Sequence, residues 1–179
     1  MRKALLIPIL LTALAAMPAQ AGEISLGIGP LVLSEDGADF HISYRADASH
    51  WEFGYRYSRY SESTDDPYFG GTLTESTTTM QGPTLFYQFK PEANGTWFVG
   101  AAVLKAERVE RALLVNEEAH ASKNAFFFGG GYLGRWGRYG FYRLGMLVSP
   151  GAKLNTKTSA SSTEESGLAD IYAQIGLRF

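Results

Sequence analysis

The chain contains no cysteine. That absence excludes a disulfide-stapled fold, thiol catalysis, a cysteine-ligated zinc site and a lipid anchor on an N-terminal cysteine. Long apolar runs are missing too: beyond residue 21 none reaches 18 residues, so no helix is expected to span a membrane. Positive charge is not in excess. With Arg2 and Lys3 set aside, 14 of the 16 basic side chains remain against 18 acidic ones, a net charge of −4. General nucleic-acid binding then has no electrostatic footing.

What is present starts with a leader. Arg2 and Lys3 precede the apolar stretch Ala4–Met17, and Ala19-Gln20-Ala21 puts small residues at a cleavage position. Residues 1–21 therefore read as a signal peptide and 22–179 as one exported domain.

In the exported part the hydrophobic period is two, the strand period. Phe40, Ile42, Tyr44 and Ala46 alternate with Asp39, His41, Ser43 and Arg45. Trp51, Phe53, Tyr55 and Tyr57 alternate with Glu52, Gly54, Arg56 and Ser58. Ile171, Ala173, Ile175, Leu177 and Phe179 alternate with Asp170, Tyr172, Gln174, Gly176 and Arg178. Eight strands are expected, near 22–33, 39–46, 51–60, 79–90, 96–108, 122–134, 139–149 and 167–179. Mostly long connections (around Glu35-Asp36-Gly37, 61–78, 109–121, 150–166) alternate with short ones (47–50, 91–95, 135–138). This layout predicts an all-β, eight-stranded antiparallel up-and-down transmembrane β-barrel with an apolar outside and a polar lumen. A soluble sandwich would bury the apolar faces and would not need an aromatic at each strand end. Trp51, Trp97 and Trp136 all fall beside short connections, as one half of an interfacial girdle would at the periplasmic end.

The ending Ile175-Gly176-Leu177-Arg178-Phe179 resembles the C-terminal strand signature of outer-membrane barrels. The resemblance implies that Ile175, Leu177 and Phe179 are read by the outer-membrane assembly machinery. In length and layout the exported chain also resembles the OmpA/OmpX/OmpW-type superfamily of small barrels. That implies a Gram-negative outer membrane, with lipid and lipopolysaccharide as surroundings, and a structural or surface-interaction role for polar external loops. A lipid A-modifying enzyme and a conduit for small apolar molecules are the alternatives.

Candidate sites follow from the same frame. If residue 46 faces 51, then Arg45 lies opposite Glu52, Ser43 opposite Gly54 and His41 opposite Arg56. A lumen network of His41, Arg45, Glu52, Arg56, Arg143, Asp170 and Arg178 is expected, with Gln88, Lys90 and Gln174 beside it and Arg45 paired to Glu52. For catalysis, His41 with Ser43 and His120 with Ser122 place a base and a hydroxyl two residues apart on one strand face. The spacing resembles the His-x-Ser of lipid A deacylases, but Tyr44 and Lys123 stand where that motif continues with Asn. Pro30 and Pro83 interrupt expected strands and predict bulges near the outer rim. Strand prolines open lateral gates in lipid A palmitoyltransferases, but those enzymes begin with an amphipathic helix, and here the exported chain enters a strand. Gly129-Gly130-Gly131-Tyr132-Leu133-Gly134 fits G-x-G-x-x-G without the helix that a nucleotide site requires, so these read as strand glycines. Asn94-Gly95-Thr96 reads as a turn. Glu62, Asp65 and Asp66 offer loop carboxylates to a hard cation. No cofactor and no nucleic acid are expected, and the protein should be a monomer.

Overall fold

A computed structural model describes residues 22–29, 37–65, 72–113, 116–157 and 162–179. The expected signal peptide, Pro30 and Asp66 lie outside the described residues. The strands are β1 (Gly22–Ile28), β2 (Ala38–Ala46), β3 (Trp51–Asp65), β4 (Thr72–Gln88), β5 (Gly95–Ala112), β6 (Glu117–Trp136), β7 (Gly140–Lys157) and β8 (Ser162–Arg178). They run antiparallel around a ring in chain order, and β8 pairs back with β1. Phe179 completes that seam: its N–H donates to the Ile24 carbonyl at 2.9 Å and its carbonyl accepts from Ile24 N–H at 3.0 Å. Closure leaves no open sheet edge there.

The register of β2 with β3 is the one the alternation predicts, with Arg45 opposite Glu52, His41 opposite Arg56 and Phe40 opposite Tyr57. Strand ends are another matter. β3 to β8 are 15 to 20 residues long, so most of 61–78, 109–121 and 150–166, expected as loops, is paired strand. Ser61 to Thr64 against Thr74 to Thr77 is one such stretch. It is polar on both faces, so it carries no hydrophobic alternation, yet the β-branched threonines Thr64, Thr74 and Thr77 suit an extended backbone. Glu62 and Asp65 accordingly lie on β3 rather than in a loop.

The expected bulge at Pro83 is also absent. The β4–β5 ladder skips Gly82 and Pro83, but its register is the same on either side. Register shifts fall instead between Thr64 and Asp65 at the far end of the β3–β4 ladder, and between Ser149 and Lys153 of the β7–β8 ladder, where Pro150 and Gly151 interrupt it. Gly129, Gly130 and Gly131 sit inside β6. A Cβ on Gly129 would come within 2.0 Å of the Met146 carbonyl and one on Gly131 within 2.0 Å of that of Leu144, so close strand approach accounts for the glycine run.

The outer wall is apolar over a limited height. Trp51, Phe89, Trp97, Trp136, Tyr139 and Phe179 are exposed near the short turns, and Phe40, Tyr55, Phe126 and Leu144 are exposed further up. On β3 the outward aromatics end at Tyr57 and Arg59 follows; on β5 Val103 is followed by Lys105, and on β6 Phe126 by Asn124.

The lumen is layered, which the sequence did not predict. On β5 the buried residues run from Phe98 through Ala102, Leu104 and Ala106 to Glu110; on β7 they run from Arg143 through Leu147, Ala152 and Leu154 to Thr156. A charged tier near the short turns is therefore capped by an apolar tier. Above that, Thr156 Oγ1 donates to Glu110 Oε2 at 2.6 Å.

Candidate functional site

The charged tier contains two connected clusters. Arg56, fully buried, holds Asp170 with both arms, Nε to Oδ2 at 2.6 Å and Nη2 to Oδ1 at 2.9 Å, and reaches Asp39 Oδ1 at 3.1 Å. Gln174 Nε2 donates to the same Asp39 oxygen at 3.2 Å. One planar fork thus serves two carboxylates brought in by β2 and β8.

The second cluster lies nearer the turns. Arg143 Nη2 pairs with Glu52 Oε1, Gln88 Nε2 donates to Glu52 Oε2, and Arg135 Nη2 donates to Gln88 Oε1 at 3.2 Å. Arg143 Nη1 lies 2.8 Å from His41 Nδ1. A guanidinium can only donate, so Nδ1 accepts, the ring is neutral, and Nε2–H points to Thr84 Oγ1 at 3.1 Å. Three rings frame the same guanidinium, with Phe86, Phe98 and Phe141 centroids 5.2, 5.6 and 5.8 Å from Arg143 Cζ.

The expected Arg45–Glu52 ion pair does not form. The two residues are cross-strand neighbours, but Arg45 turns toward the mouth, to Glu23 at 3.5 Å and the exposed Glu92 at 3.3 Å, while Glu52 is taken by Arg143 from across the barrel. Arg178 and Arg135 also reach Glu23, at 3.1 and 3.8 Å. Lys90 stands exposed beside a short turn, outside the network. Glu23, Asp39 and Arg135 belong to the network and were not among the expected residues. Asp39 was visible in the alternation, and Glu23 shares the inward parity of Ser25, whereas Arg135 was hidden by placing it in a turn.

This chemistry is that of a plug. Each carboxylate faces at least one guanidinium, His41 is tied at both nitrogens, and Ser43 is buried without a hydrogen bond to His41. The His41–Ser43 dyad is therefore not formed.

The second dyad faces outward. Glu118, His120 and Ser122 lie on one face of β6, and His120 Nε2 is 2.6 Å from Glu118 Oε1. Arg111 Nε donates to Glu118 Oε2 at 2.7 Å, and that bond holds the exposed carboxyl below its ordinary value. His120 and Ser122 are not hydrogen-bonded to each other. Sequence reasoning found the His and Ser but missed Glu118, two residues before, on the same face. Among the described residues no three His, Cys, Asp or Glu side chains gather as a metal site.

The three tryptophans lie together at the short-turn end. Trp51 meets Tyr87 at 5.0 Å, Trp97 meets Tyr132 at 5.3 Å, and Trp136 stacks on Tyr142 at 6.0 Å. Ile175, Leu177 and Phe179 are exposed on the outer wall.

No protein-family model matches the chain, and neither does any curated protein. Solved structures do match. Neisserial surface protein A (NspA) superposes with a TM-score of 0.53 at 14% identity, covering 88% of this chain and 92% of that one. A major outer membrane protein from Thermus thermophilus gives 0.54 at 11% identity, covering 90% and 100%. The chain has the fold of the small outer-membrane barrels. At these identities the likeness is one of architecture.

Proposed function

We propose that the chain is a bacterial outer-membrane β-barrel, closed along its axis, that acts through the strand extensions and connections it carries beyond the bilayer. The observation that carries this reading is a mismatch of lengths. On β8 the outward apolar residues run from Ala169 to Leu177, about nine residues, which at ~3.3 Å each and a tilt of ~40° span roughly 20–25 Å of membrane. β6 has 20 residues and β5 and β7 have 18 each. A spanning strand needs only about 9–11, so the excess stands above the apolar band. Its outward side chains, such as Ser61, Thr77, Glu107 and Ser122, suit water and polar partners.

In this reading the exported barrel is inserted by the assembly machinery, with Ile175, Leu177 and Phe179 as its signal. Trp51, Trp97 and Trp136 lie at the periplasmic interface, lipid and lipopolysaccharide surround the wall, and the protein is a monomer without a cofactor. The test has two parts. Detergent-extracted protein should migrate differently before and after boiling, because a closed barrel resists detergent until heated. Protease added to intact cells should then cut in the β3–β4, β5–β6 or β7–β8 hairpins and nowhere near the short turns. Identical mobility in both samples rejects the barrel, and cleavage confined to the short turns rejects the orientation.

The Glu118–His120 contact favours a second reading, an esterase acting at the membrane surface with Ser122 as nucleophile, His120 as base and Glu118 orienting it. Mass spectra of lipid A from cells with wild-type protein and with Ser122→Ala decide it. Identical spectra reject the esterase.

A further inference from the structure

We infer that the outer wall from β1 to β5 seats one phosphorylated glycolipid of the lipid A type, with an acyl chain in a groove ending at Tyr57 and a phosphate on Arg59. The inference rests on the membrane reading above.

Two cavities on this wall end at consecutive outward residues of β3, Tyr57 and Arg59. The lower is a groove of about 430 Å³, almost wholly apolar, between Leu26, Ile28, Phe40, Ile42, Tyr55 and Tyr57. The upper is a cleft of about 220 Å³ lined by Arg59, Glu75, Thr77, Thr79, Val109 and Arg111. Arg59 is the next outward residue after Tyr57 on β3, so it stands at the head of the groove and at the edge of the cleft.

The charges in the cleft are unequally committed. Arg111 donates to Glu118 and has Glu75 as its cross-strand neighbour on β4. Arg59 has Thr79 opposite it, and its buried Nε makes no hydrogen bond among the described residues. Among the described residues the partly buried Arg59 guanidinium makes no ion pair, and a cation left so beside two threonine hydroxyls is suited to an anion.

Height agrees with chemistry. One outward step along a strand is about 6.6 Å, or ~5 Å along the barrel axis at a tilt of ~40°, so Arg59 stands about 5 Å above the last aromatic. The headgroup layer is roughly 5–8 Å deep on each side of the hydrocarbon. A lipid with its chain below Tyr57 therefore brings its phosphate to Arg59. Ser61, Thr77, Thr79 and Gln81 surround that point on the outward face and offer hydrogen bonds to sugar hydroxyls, which favours a glycolipid over a phospholipid. The site also lies at the end away from the short turns, which is the outer leaflet in the proposed orientation.

Native mass spectrometry of the intact barrel, released from detergent after incubation with defined lipids, tests the seat. The probes are bisphosphorylated lipid A, the same lipid A with both phosphates removed, and phosphatidylglycerol. Wild-type protein should retain one bisphosphorylated lipid A. Arg59→Gln should lower that retention at least tenfold and Arg59→Lys should restore most of it. The dephosphorylated lipid should bind wild type and Arg59→Gln alike, and Phe40→Ala should weaken both forms of lipid A. Unchanged retention by Arg59→Gln, an equal loss in Lys105→Gln, or phosphatidylglycerol held as tightly as lipid A would each overturn the inference. The boiled and unboiled mobilities of every variant keep the two readings apart. A barrel that holds no lipid A sinks the seat alone, and a protein without a mobility shift sinks the membrane reading.

Discussion

At the scale of single residues, the lumen shows how cross-strand neighbours and bonded partners can differ. Arg45 lies opposite Glu52, yet Glu52 bonds Arg143 and Gln88, and Arg45 bonds Glu23, Glu92 and the Ser49 carbonyl. An Arg side chain is long enough to span the narrow lumen, so partner choice follows burial: Arg143 and Glu52 sit deep, whereas Glu92 is exposed to water at the mouth. Removing one member of a buried pair leaves a bare charge and costs about 3–5 kcal/mol, while removing both in favour of apolar residues costs much less. Glu52→Leu and Arg143→Met should therefore each lower the heat-modifiability midpoint, and the double variant should recover most of the loss. Glu52→Leu with Arg45→Met should be close to additive, since water screens the mouth to about 0–1 kcal/mol per pair. Strong coupling of Glu52 to Arg45 would contradict the network. The outer surface gives a pH counterpart. Glu118 titrates below its ordinary value of 4.5 because of Arg111, so the contact helps the folded state above that pH and is lost as the pH falls through the depressed value. A carboxyl NMR titration should show Glu118 returning toward 4.5 in Arg111→Gln.

At the scale of elements, alternation was readable only where the two faces differ. β2, the lower part of β3 and the end of β8 carry polar residues inside and apolar ones outside, and their pairing could be taken from the sequence. Phe126-Phe127-Phe128 carries none of that signal: Phe127 is fully buried in the apolar tier while its neighbours are 60% and 50% exposed on the wall. A strand that is apolar on both faces has no period to read. The extensions fail for the opposite reason, since Ser61 to Thr64 and Thr74 to Thr77 are polar on both faces and read as loop. Candidate residues fared similarly. His120 and Ser122 were found by spacing, whereas the Arg59 cleft joins β3, β4 and β5 and no local spacing foretells it. The extensions also set a prediction. Glu107 and Ser122 are cross-strand partners, so a two-residue turn can join them directly. Replacing 108–121 with such a turn should leave the gel-mobility shift intact and remove protease cleavage in that hairpin on cells. Loss of the mobility shift would mean that the extension holds the barrel together.

At the scale of the whole molecule, two seals of different chemistry lie in series along one axis. The Arg56–Asp39–Asp170 and Arg143–Glu52 clusters fill the lower lumen, and Leu104, Phe127, Leu147 and Leu154 fill the space above. An eight-stranded ring is just wide enough for its own side chains, so each layer suffices to close it. Ions cross an apolar constriction poorly because it strips their water, and they cross a fully paired ionic layer poorly because every charge there already has its partner. Protein reconstituted in planar bilayers should therefore show no steady conductance. Phe127→Ala with Leu147→Ala should stay closed, because the ionic tier remains, and Arg56→Ala should stay closed behind the apolar tier. Adding both Arg56→Ala and Arg143→Ala to that pair opens the apolar tier and both ionic clusters, and this variant, provided that it keeps the mobility shift, should conduct. A steady current through the wild type would reject the closed lumen, and one through the Phe127→Ala, Leu147→Ala variant would show that the ionic tier is a filter rather than a seal.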